Sequence, residues 1–145
     1  AIQLSHYNLL VNANGIQHAI DLFQNQTYHI NINPNSMAWV ILQAILPLYT
    51  GAPLKSKNPD MKVGIDEGDF HIQFDWNKLE ETTPPSLYVC NENTAFLAMN
   101  KTPIHLTAMD DDTSPQTITG HSVMMGYLED ALNEIMFTGN GLKIK

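Results

Sequence analysis

Met61-Lys62-Val63-Gly64-Ile65 and Phe70-His71-Ile72-Gln73-Phe74 both alternate between apolar and polar residues, and Asp66-Glu67-Gly68-Asp69 lies between them. A period of two marks a strand with one buried face. A glycine within a short polar connection suits the positive φ of a tight turn, so the pair predicts a β-hairpin. Further strands are expected at 87–90 and 95–99, around the turn-rich Asn91-Glu92-Asn93, and at 104–109. The middle of the chain therefore reads as an antiparallel sheet.

Towards the N-terminus, residues 6–11 read as a short strand broken by Asn12-Ala13-Asn14-Gly15, with Asn14 capping a helix whose face is Ile16, Ala19, Ile20 and Phe23. Residues 27–32 alternate and are bounded by Asn33-Pro34-Asn35, the pattern of a strand. Ser36 is placed to cap the next segment, 37–46, which is apolar on nearly every side and reads as a buried helix ended by Pro47 and Gly51. Residues 50–59 form a solvated connection, and 80–85 a stiff one rich in Glu, Thr and Pro. Towards the C-terminus, Met124, Leu128, Ala131, Leu132, Ile135 and Met136 define an amphipathic helix ended by Gly139. The expected fold is α+β, a single domain over residues 1–145 with about three helices packed on a mainly antiparallel sheet.

Seven lysines and no arginine face fifteen carboxylates, for a net charge of −8. Nucleic-acid affinity depends on Lys and Arg displacing counterions from phosphates, so this balance argues against nucleic acid as a partner. The same charge repels an anionic membrane surface, and no apolar run approaches the roughly 20 residues that span a bilayer. One cysteine, Cys90, cannot form an internal disulfide and favours a reducing, cytoplasmic setting without fixing it. The first residues carry no basic leader, although a processed end would look the same.

Signatures of catalysis are sparse. The six histidines show neither HxxxH nor HxH spacing, and no cysteine pair assists them, so no metal is expected. No glycine pattern of a P-loop or dinucleotide fold is present, no Gly-x-Ser-x-Gly elbow surrounds a serine, and no cofactor is expected. Asp110-Asp111-Asp112 lacks the alternating ligands and distal glutamate of a calcium loop.

One pair of pentapeptides stands apart. Tyr28-His29-Ile30-Asn31-Ile32 and Ile104-His105-Leu106-Thr107-Ala108 each place a histidine on a strand with a polar group two residues on, on the same face. This pattern resembles the paired His-x-Thr/Ser strands of the two-histidine phosphoesterases, with Asn31 where that family has Thr or Ser. The resemblance implies His29 and His105 as general acid and base on a phosphodiester, with Thr107 beside them.

The leading expectation is different: a soluble acidic protein-binding module of the inhibitor, immunity or chaperone kind, steered onto a basic protein partner by its carboxylates. Its contact residues are expected to be Asp66, Glu67 and Asp69, then Glu80 and Glu81, and Asp110, Asp111 and Asp112. The two-histidine enzyme is the alternative. A third reading is a structural or assembly subunit whose apolar helix face completes a homo-oligomer.

Overall fold

After a short strand, β1 (Ile2–Gln3), Ser5 opens the first helix, α1 (His6–Ile20). The Ser5 hydroxyl accepts from Asn8 N–H at 3.0 Å while the Asn8 side chain accepts from Ser5 N–H at 2.9 Å, a reciprocal capping box. The computed structural model describes residues 2–79, 84–89, 96–104, 107–111, 115–121, 123–139 and 141–143. In it, residues 6–11 are the front half of a continuous helix and not the expected strand. The buried residues of α1 are Asn8, Val11, Asn12, Ala13, Gly15, Ile16 and Ile20, and two asparagines and a glycine among them conceal the helical period. Asn8 is accommodated inside because its amide donates to the His121 carbonyl at 2.6 Å. Asn14 sits in mid-helix and donates to Tyr49 Oη at 2.7 Å. Asp21, left-handed at φ 54°, ends the helix, and Phe23 lies beyond it.

Ser36 caps as expected, accepting from Trp39 N–H at 3.2 Å at the head of α2 (Met37–Trp39). The helical path continues as a π-helix over Val40–Ile45 and then as α3 (Leu46–Thr50). Leu46 N–H reaches back to the Ile41 carbonyl, and this wider winding sets Pro47 in the first turn of α3, where its missing donor costs least. Pro47 thus lies inside the segment and Gly51, at φ 75°, ends it.

The main sheet has the order β2 (Tyr28–Asn31), β3 (Met61–Gly64), β4 (Phe70–Gln73), β5 (Ser86–Val89), β6 (Phe96–Met99), β7 (Thr102–Pro103). Strands β2 to β5 run parallel, and only β5–β6 and β6–β7 are antiparallel. The expected hairpin over 61–74 is therefore a parallel pair, with Val63 beside Phe70 and Gly64 beside His71. Parallel neighbours ordinarily need a long crossover. Here β4 starts level with the end of β3, so residues 65–69 have to carry the chain back by only about one residue.

Burial follows from this arrangement. Tyr28, Ile30, Met61, Val63, Ile72, Leu87 and Val89 point from the sheet into a core shared with Ile16, Ile20, Ala38, Ile41, Leu42 and Leu46 of the helices. The opposite face of β5 and β6 supplies Tyr88 and Ala98 to a second core with Trp76, Ile118, Met124, Tyr127 and Leu142. Trp76 and Tyr88 meet edge to face at 5.3 Å between ring centres.

The second core is roofed by an antiparallel sheet containing β8 (Thr107–Met109), β9 (Thr117–Gly120), β11 (Phe137–Thr138) and β12 (Gly141–Lys143), in the order β11-β12-β9-β8. Strand β10 (Gly126–Tyr127) pairs with β1. The last helix, α4 (Asp130–Met136), is seven residues long, and Met124 and Leu128 lie outside it. The architecture is α+β, with antiparallel pairs in the majority and a parallel run at one side of the main sheet. Among the described residues no helix is long and apolar enough to cross a membrane.

Candidate functional site

Period two sends His29, Asn31 and Lys62 to the face of the main sheet opposite the helices. The second core covers that face at β5 and β6, while at β2 and β3 Asn31 and Lys62 are exposed and His29 is half-buried. A cleft of about 340 Å³ opens there, lined by His29, Asn31, Ser56, Lys62, Glu67 and Gly68, with Val63. In register, His29 lies beside Lys62 and Asn31 beside Gly64. The cleft lies on the sheet face over the middle of β2 and β3, at the paired His29 and Lys62, and reaches the carboxyl end of β2 at Asn31.

Two tethers hold the wall formed by residues 65–69. The Asn31 amide donates to Glu67 Oε1, and Asp69 Oδ2 accepts from Lys62 N–H at 2.8 Å while Asp69 N–H donates to the Lys62 carbonyl at 2.8 Å. Two glycines allow the approach. A Cβ on Gly68, at φ 95°, would stand 2.6 Å from the Lys62 carbonyl oxygen, and one on Gly64 would stand 3.0 Å from Glu67 Cγ and 3.2 Å from the Asn31 carbonyl oxygen. Beneath the cleft, Asp60 Oδ2 accepts from Thr27 N–H at 2.8 Å and Thr27 Oγ1 at 3.2 Å, locking the starts of β2 and β3 together. These bonds, the one from Thr27 N–H first, hold the Asp60 carboxyl below the usual carboxylate range. Burial pushes the Tyr28 phenol up, and its hydroxyl donates to the Leu42 carbonyl at 2.9 Å.

The structure distributes the expected site residues differently from the sequence reading. His29 is in the cleft, whereas Thr107 is buried on β8 in the other sheet; His105 lies outside the described residues. Of the acidic groups, Glu67 and Asp69 are engaged in the tethers, Asp66 is exposed at φ 56°, and Asp111 is exposed beside Asp110. The Asp110 carboxylate accepts from Gln116 N–H at 2.9 Å and Thr117 N–H at 3.0 Å, closing the β8–β9 connection. Glu80, Glu81 and Asp112 lie outside the described residues. Sequence reasoning missed Lys62 and Ser56. An exposed lysine on a strand has no diagnostic spacing, and the one available signal was the pair Gly64 and Gly68 around an acidic loop.

No protein-family model matches the sequence, and no curated protein does. Solved structures do match in fold. A malonyl-CoA ligase with methylmalonyl-CoA and AMP bound superposes with a TM-score of 0.76 at 10% identity, covering 98% of this chain and 45% of that one. The O-succinylbenzoate CoA synthetase of Bacillus subtilis in complex with AMP gives 0.71 at 10% identity, covering 98% of this chain and 42% of that one. ATP-bound MatB from Rhodopseudomonas palustris gives 0.74 at 11% identity, covering 99% and 41%. The chain spans less than half the length of these three structures.

This likeness overturns the expectation of an inhibitor, immunity or chaperone-type module that engages a basic partner. The physical reason is that net charge describes a surface and not a fold. Several of the carboxylates counted for steering are spent on local bonds, as Glu67, Asp69 and Asp110 are. For the paired-histidine alternative, the structure places His29 on β2 of the main sheet and Thr107 on β8 of the other sheet, so these two residues of that site belong to different sheets.

Proposed function

We infer that the chain forms part of an enzyme of the adenylate-forming, acyl-CoA synthetase type, contributing the mixed sheet and its helices to that architecture. The observation that carries this reading is the fold likeness across 98% of the chain to a ligase caught with methylmalonyl-CoA and AMP.

The side chains limit what this part contributes. Without arginine, charged contacts of this chain with a nucleotide phosphate fall to lysine and protonated histidine, beside neutral N–H and O–H donors. The role is therefore one of scaffold and positioning, with the open face of β2 and β3 at His29 and Lys62 as the ligand-facing surface.

The test is carboxylate-dependent exchange of labelled pyrophosphate into ATP, measured on the natural full-length protein with a panel of small carboxylic acids. Exchange that requires an acid supports the reading. Absence of exchange, together with absence of ATP and AMP binding by calorimetry, removes it.

A further inference from the structure

The cleft on the open face of β2 and β3 has a charge pattern of its own. Lys62 supplies an ammonium that makes no ion pair among the described residues, on a backbone clamped by Asp69. Across the cleft, Glu67 has one oxygen committed to Asn31, and its other oxygen has no protein partner among the described residues. The His29 imidazole lies beside Lys62 in register and makes no hydrogen bond to the described residues. A single cation and a single half-free carboxylate thus face one small volume, with an imidazole and the Ser56 hydroxyl between neutral and charged partners.

We propose that this cleft binds a small zwitterion of the amino-acid class, its carboxylate on Lys62 and His29 and its ammonium on the free oxygen of Glu67. A polyanion fits poorly, because among the residues that line the cleft Lys62 is the one full cation and it faces the Glu67 carboxylate, with Asp66 and Asp69 on the same wall and Lys55 and Lys57 flanking Ser56. A simple cation does not fit either, because two of those carboxylates are already bonded to the chain and Lys62 opposes it. The volume, about 340 Å³, lies at the small end of ligand pockets. The two tethers and two glycines fix the Glu67 carboxylate and the backbone of Lys62 before any ligand arrives, which reduces the ordering cost on that side of the cleft. The inference stands on the cleft alone and is independent of the ligase reading, so failure of pyrophosphate exchange leaves it untouched.

The experiment is a titration of the isotopically labelled chain, followed by amide chemical shifts, with the standard amino acids, β-alanine and γ-aminobutyrate as probes. Acetate, methylamine and inorganic phosphate are the single-charge controls. At least one zwitterion is expected to saturate with a Kd below about 10 mM, moving the amides of His29, Asn31, Lys62, Glu67 and Gly68. It is expected to bind about tenfold or more tightly than acetate or methylamine. Lys62→Gln and Glu67→Gln should each weaken it about tenfold, equivalent to about 1.4 kcal/mol, with the spectrum elsewhere and the thermal midpoint unchanged. No saturable shift with any zwitterion, shifts centred elsewhere, or equal binding of acetate or phosphate would each overturn the proposal.

Discussion

Gly68 lies so close to Lys62 that a methyl group on its α-carbon would stand 2.6 Å from the Lys62 carbonyl oxygen. The approach brings the acidic wall over β3 at Lys62 and creates the cleft. Its φ of 95° adds a second demand that only glycine meets without strain.

Gly68→Ala should therefore lower unfolding free energy by about 2 kcal/mol or more, combining a left-handed backbone with a clash against a peptide oxygen. Gly139 is the control. It also has a positive φ, 57°, but nothing within 4 Å of its missing Cβ, so Gly139→Ala should cost only about 1 kcal/mol. Urea denaturation of both variants checks the ordering, and equal losses would show that the close contact with Lys62 is not tight.

Leu87 is completely buried on β5, while Leu48 on α3 is 86 % exposed. Leu87→Ala should cost about 2–5 kcal/mol through lost transfer energy and a cavity, and Leu48→Ala should stay within about 0.5 kcal/mol. Denaturant midpoints of the two variants decide this.

Removing the helix cap tests the reassignment of the N-terminal segment. Ser5→Ala should cost about 1 kcal/mol, because Asn8 N–H loses its acceptor. If residues 6–11 formed a strand, the substitution would be nearly silent in both stability and helical circular dichroism.

Asp110 gives the pH dependence. Its carboxylate accepts from Thr117 and Gln116 N–H, which hold it below the usual carboxylate range. A depressed folded pKa means stability that is fully present above the unfolded value and lost as pH falls through the folded one. The stability gap between the wild type and Asp110→Asn should be widest near neutral pH and should close below about pH 4. A gap that widens on acidification would contradict the assignment.

Much of the fold was readable where one physical signal acted alone. The alternation over 27–32 located β2, Ser36 located the head of α2, and Gly51 located the end of α3. Misreadings came where two signals competed. Asn8 and Asn12 are among the buried residues of α1, and the bond from Asn8 to the His121 carbonyl, 113 residues away, is invisible locally. Gly68 does adopt positive φ, but a glycine in a polar loop does not reveal whether the next strand pairs parallel or antiparallel. On β5, Leu87 and Tyr88 are both buried because two cores meet there, so its neighbours could not be inferred from alternation. Of the candidate site, His29 was singled out, whereas Lys62 becomes its neighbour only through strand register.

The parallel run from β2 to β4 is the feature on which both the cleft and the likeness to ligases depend, and nuclear Overhauser effects between backbone protons test it directly. The account predicts contacts that link Tyr28 to Met61 and Val63 to Phe70 in the parallel pattern. Close Hα–Hα contacts between 61–65 and 70–74, the mark of an antiparallel hairpin, would contradict it.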